Sequence, residues 1–145
     1  MSAELLIANL LRVAREDLDG AKTLAATGNR NAIYLCEQAA EKVIRAVLTS
    51  EGLHAGIKHH LDAMVDLVPD ANPLKGLLRA VEPLAAYATS YRYPTAAGRL
   101  MATPKSTSFE GFANDVERAI TEAAARFGVD LDARDAPART AQPIR

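Results

Sequence analysis

The sequence predicts an all-α fold, an antiparallel helical bundle of about five helices. Apolar residues recur at alternating steps of three and four along most of the chain, and glycine and proline fall largely between these runs. No segment alternates polar and apolar residues as a half-buried strand does.

The first helix is expected over residues 3–27, where Ile7, Leu11, Ala14, Leu18, Ala21 and Ala25 share one face. Gly28 ends it, because glycine accepts the left-handed conformation that follows a helix. Asn29 or Asn31 caps a second helix running to about Leu48. Its apolar stripe of Ala32, Leu35, Ala39, Val43 and Ala46 is widened by Ile33, Cys36, Ala40, Ile44 and Val47, which places this helix at the centre. The remaining face carries Gln38, Glu41, Lys42 and Arg45, with Glu41 and Arg45 in the favourable i, i+4 order.

Leu61, Met64, Leu67 and Val68 predict a short third helix ending near Pro69. A fourth starts after Asn72-Pro73, with Leu74, Leu77, Leu78, Val81 and Leu84 on its apolar side. Pro83 lacks a backbone donor and clashes with the carbonyl at Arg79, so a kink or two short helices are expected there. Periodicity fails from Ser90 to Ser106, a long loop of the kind that often carries function. Thr107 and Glu110 have capping-box spacing and open a last helix through Phe109, Phe112, Val116, Ile120, Ala123 and Phe127 to Gly128. The expected core includes Leu18, Ala39, Val43, Leu78 and Phe112. The bundle therefore spans residues 1–128, and the aperiodic residues 129–145, rich in Asp, Arg, Ala and Pro, are expected to form a mobile tail.

With 145 residues, 49% hydrophobic and 24% charged, the chain suits one globular domain. A net charge of −1 supplies no overall basic field, so contact with a polyanion must be local. The single cysteine, Cys36, excludes an intrachain disulfide and reads as a small core residue rather than a nucleophile. No stretch approaches the roughly 18 apolar residues of a spanning helix, and the N-terminus lacks a basic region followed by an apolar run. The expectation is a cytoplasmic protein outside the membrane.

Candidate site residues follow from chemistry. Asp17 lies between Ala14 and Ala21 in spacing, near the inward side of the first helix, where a carboxylate needs a cation: Lys42, Arg45 or Arg92. It reads as a structural ion pair or as a catalytic carboxylate. Tyr91-Arg92-Tyr93-Pro94 offers a planar cation for phosphate and two rings for a base, while the plainer reading has the tyrosines covering helix ends and Arg92 paired with Asp17 or Glu41. His59 and His60 diverge by roughly 100° around a helix and do not face one ion, so no metal and no cofactor are predicted. His60 instead packs or hydrogen-bonds at the start of the third helix, or meets a phosphate-bearing ligand.

A set of these residues resembles the HEPN domain family. It runs from Ala14, Asp17-Leu18, Ala21, Leu24, Gly28 and Ala32 through Glu37-Gln38-Ala39-Ala40-Glu41-Lys42 and Arg45-Ala46-Val47-Leu48 to His60-Leu61 and Arg92-Tyr93-Pro94. The run around Gln38 is the most specific part. The resemblance implies a homodimeric helical module that binds nucleotide or RNA, or that partners a minimal nucleotidyltransferase in a toxin–antitoxin pair. Taken with the side-chain chemistry above, the expected binding residues are Asp17, Gln38, Glu41, Lys42, Arg45, His60, Tyr91, Arg92 and Tyr93. The family's ribonuclease branch uses an arginine closely followed by a histidine. No histidine follows His60 here and no arginine closely precedes any of the three, which argues against that mechanism. A divergent ribonuclease using Arg92, His60, Asp17 or Glu41 is the enzyme alternative, and a purely structural dimerisation module is the third reading.

Overall fold

The computed structural model describes residues 2–56, 60–88, 93–102 and 104–145. Among these residues it is all-helical, with five α-helices, one 3₁₀ segment and no strand. Helix α1 spans Ala3–Ala26 and begins at Ser2, whose hydroxyl accepts the Leu5 N–H at 3.1 Å. Gly28 adopts φ 70° and turns the chain within a few residues into α2, Asn31–Ser50. This short turn makes α1 and α2 antiparallel neighbours, and their pairing is the main contact of the fold.

Helix α5, Ser106–Phe127, packs on both. Short helices α3, Leu61–Leu67, and α4, Lys75–Ala80, lie with the 3₁₀ helix Glu82–Tyr87 against α2, α5 and one another. The break between α4 and the 3₁₀ helix falls where Pro83 predicts it. Proline is tolerated in the first turn of the new segment, where its missing N–H leaves no bond unmade.

The core takes Ile7, Leu11 and Leu18 from α1, Val43, Ile44 and Val47 from α2, and Val116, Ile120 and Phe127 from α5, all buried. Burying each such branched or aromatic side chain contributes about 1.5–3 kcal/mol. Ala14, Ala21, Ala39, Ala40 and Ala46 are also buried, and these small side chains let α1 and α2 approach closely.

Several local expectations are corrected. Phe112 is only partly buried, while Ala113 and Val116 take the inward positions beside it. Helix α5 begins one residue before Thr107, at Ser106, with Lys105 at the cap position and no side-chain cap, so Thr107 and Glu110 form no capping box. Asn29 does accept the Asn31 N–H at 2.9 Å, but the cap position of α2 is Arg30.

The largest difference concerns residues 129–145. Composition alone predicts a mobile tail, yet the segment lies back along α1. The Ala138 N–H donates to the Glu4 carbonyl at 3.0 Å, the Arg139 N–H donates to the Phe127 carbonyl at 2.9 Å, and Ala138 and Ile144 are buried. The segment lacks periodicity because its backbone is held by α1 side chains and helix-end carbonyls rather than by a helix of its own.

Candidate functional site

The antiparallel packing of α1 on α2 sets Asp17 beside Lys42, whose Nζ donates to Oδ2 at 2.5 Å. Both side chains keep about a fifth of their surface in contact with solvent, at 19% and 23%. The spacing that turns Asp17 inward creates the need for a cation, and Lys42 meets it. Of the two candidate cations on α2, Lys42 is therefore the one found at Asp17, and Arg45 lies a turn further along the helix.

One turn on, Arg45 Nη2 stands 3.5 Å from Glu41 Oε1 in the i, i+4 relation read from the sequence. Glu41 is buried against the bundle. Gln38 donates through Nε2 to Glu37 Oε2 at 2.9 Å, and Glu37, which periodicity did not single out, is 0% exposed. The polar side of α2 is thus an ordered row of Glu37, Gln38, Glu41, Lys42 and Arg45, much of it within the protein. A pattern of charges alone does not signal this depth, because only the elements packed over α2 create it. Burial pushes the neighbouring Cys36 thiol up to about 12, and the Glu37 charge adds to the effect. That removes Cys36 as a nucleophile at neutral pH.

Of the other predicted residues, the structure describes His60 and Tyr93. His60 is exposed at the start of α3 and makes none of the side-chain hydrogen bonds or ion pairs that order the α2 row. Tyr93 is 65% exposed. Tyr91 and Arg92 lie outside the described residues, as does His59, so the expected pairing of Arg92 with Asp17 or Glu41 is not described either. Among the described residues no three His, Cys, Asp or Glu side chains are grouped to hold a metal ion. Nor is any helix long and apolar enough to cross a membrane.

Two clefts adjoin this framework. One of about 280 Å³ is lined by Leu6, Leu10, Arg45, Leu48 and His54, so the last charge of the α2 row forms part of its wall. The other, about 430 Å³, lies where the α1–α2 turn meets the start of α5, between Lys22, Arg30, Ile33, Phe109 and Glu110. Arg30 reaches over to the preceding loop and donates to the Met101 carbonyl at 3.4 Å. That loop has a charge pattern that helical periodicity passes over. Residues 83–109 contain no carboxylate, but they hold Arg92, Arg99 and Lys105 together with Tyr87, Tyr91 and Tyr93. Tyr93, Arg99, Leu100 and Lys105 are all exposed.

No curated protein and no solved structure matches the chain. A family model does: that of the HEPN domain, over residues 7–125, from the first buried turn of α1 almost to the end of α5. The match takes in every helix of the bundle and the whole α2 row, and the chain belongs to the HEPN domain family.

Proposed function

We infer that this HEPN domain is a binding module for a nucleotide- or RNA-related ligand and the partner of a minimal nucleotidyltransferase, as a homodimer in a toxin–antitoxin setting. The observation that carries the reading is the charge distribution along residues 83–109: an acid-free, tyrosine-bearing segment in a chain whose overall charge is −1. A local cationic surface attracts phosphates without a basic protein behind it, and the exposed Tyr93 offers a base a stacking face. The ordered α2 row supports the same reading. Ionic groups held inside a bundle contribute little net stability compared with apolar packing, so their retention suits recognition of a polar ligand or partner. Asp17, Gln38, Glu41, Lys42 and Arg45 form the structured side of this proposed site, with His60, Tyr91, Arg92 and Tyr93 as its loop side.

The test is titration of the full chain with adenosine monophosphate and a short single-stranded oligoadenylate, followed by calorimetry at two salt concentrations. Binding should weaken as salt rises, and Tyr93→Ala should cost about 1–3 kcal/mol if a base stacks there. Arg99→Ala and Lys105→Ala should each weaken binding and flatten the salt dependence. Absence of any binding, with a purified minimal nucleotidyltransferase still captured, would leave the partner role and remove the ligand.

A further inference from the structure

The tail, residues 129–145, buries Ala138 and Ile144 in the core and makes polar contacts with α1 that converge on three side chains. Arg15 donates through Nη2 to the Leu131 carbonyl at 2.7 Å and pairs through Nη1 with Asp132 at 2.9 Å. Asn9 donates through Nδ2 to Asp135 Oδ1 at 3.1 Å. Arg12 donates through Nη2 to the Asp130 carbonyl and through Nη1 to Asn9 Oδ1, both at 2.8 Å. At the far end Ile144 is buried and Arg145 forms a two-pronged pair with Glu51 at 2.5 and 3.2 Å.

Arg12 is the exception among these contacts. It is only 8% exposed, its Nε has no hydrogen-bond partner, and both of its acceptors are neutral. A guanidinium taken out of water without a counter-charge is unfavourable, and a carboxylate is the acceptor that satisfies its planar fork. Two of the tail contacts, moreover, are to main-chain carbonyls, which any extended peptide presents. The tail thus brings a carboxylate to Arg15 and to Asn9 but none to Arg12.

We propose that the Asn9–Arg12–Arg15 face of α1 is a docking surface for an extended acidic segment of a partner protein, and that residues 129–145 are its exchangeable intramolecular occupant. Tethering gives the tail an effective concentration in the millimolar range, so a competitor needs an added contact, and a carboxylate on Arg12 supplies one. Gly128 is the pivot. It adopts φ 64°, and a Cβ there would lie 2.7 Å from the Arg139 side chain, so Gly128→Ala disfavours the docked tail without altering the face beneath it. Arg145→Glu does the same from the other end by opposing Glu51 and leaves the backbone turn untouched.

The experiment uses full-length chains and a fluorescein-labelled peptide of residues 129–145, read by anisotropy. Gly128→Ala and Arg145→Glu should each bind the peptide at least tenfold more tightly than the parent chain. Adding Arg15→Gln to either should remove most of that gain, and a peptide with Asp130, Asp132 and Asp135 changed to asparagine should bind at least fivefold more weakly. In the parent chain the Ala138 and Arg139 amides should exchange with deuterium at least tenfold faster than that of Val43. Equal peptide affinity in parent and opened chains, indifference to Arg15→Gln, or tail amides as protected as those of α2 would overturn the proposal. Unchanged binding of the asparagine peptide, together with displacement by single-stranded RNA, would assign the face to nucleic acid instead.

Discussion

Lys42 on α2 closes over Asp17 on α1 at 2.5 Å, joining two residues 25 positions apart across the main helix pair of the bundle. The Lys42 cation neutralises an inward carboxylate and is part of the fold. Asp17→Ala and Lys42→Ala should each destabilise by about 1–3 kcal/mol, because each leaves a partly buried charge without its partner. The double variant should cost less than the two single costs combined. Urea denaturation of all four chains measures the coupling, and strict additivity would show that the pair contributes nothing.

Val43 lies on the opposite side of α2 from solvent, 1% exposed, among Leu18, Leu78 and their neighbours in the core. Val43→Asp should destabilise by more than about 4 kcal/mol, since it buries a carboxylate where no cation waits. A denaturation midpoint equal to that of the parent would place residue 43 at the surface.

Cys36 provides a pH test. Its thiol is raised from 9.0 to about 12 in the folded chain, first by burial and then by the Glu37 charge. Below pH 9 both states keep the proton, and the thiol has no effect on stability. From there to about pH 12 the unfolded chain releases it and the folded chain does not, so stability falls as pH rises. Cys36→Ala should remove that part of the slope. At pH 8 a thiol reagent should label the native protein slowly and the urea-unfolded protein at once.

RNA cleavage by the arginine-histidine mechanism of the family's ribonuclease branch is not expected, because no histidine follows His60 in the chain. Incubation of the purified chain with labelled RNA and a chelator should leave the RNA intact. Efficient cleavage that disappears in Arg92→Ala would contradict this outcome and revive the divergent-enzyme reading.

The helices were legible in the sequence because a helix is written by neighbours three and four residues apart. Ile7 through Ala21 on α1, Ala32 through Ala46 on α2 and Val116 through Phe127 on α5 announce their inward faces, and Pro83 announces the break after α4. The same local logic showed that Asp17 needs a cation and that Glu41 and Arg45 pair within one helix. The choice of Lys42 for Asp17, the full burial of Glu37, the partial exposure of Phe112 and the docking of residues 129–145 on Asn9, Arg12 and Arg15 belong to the tertiary structure. Each depends on the rotation and register with which one packed element meets another. Packing across distant parts of the chain sets those two quantities, and no spacing within a single helix encodes them.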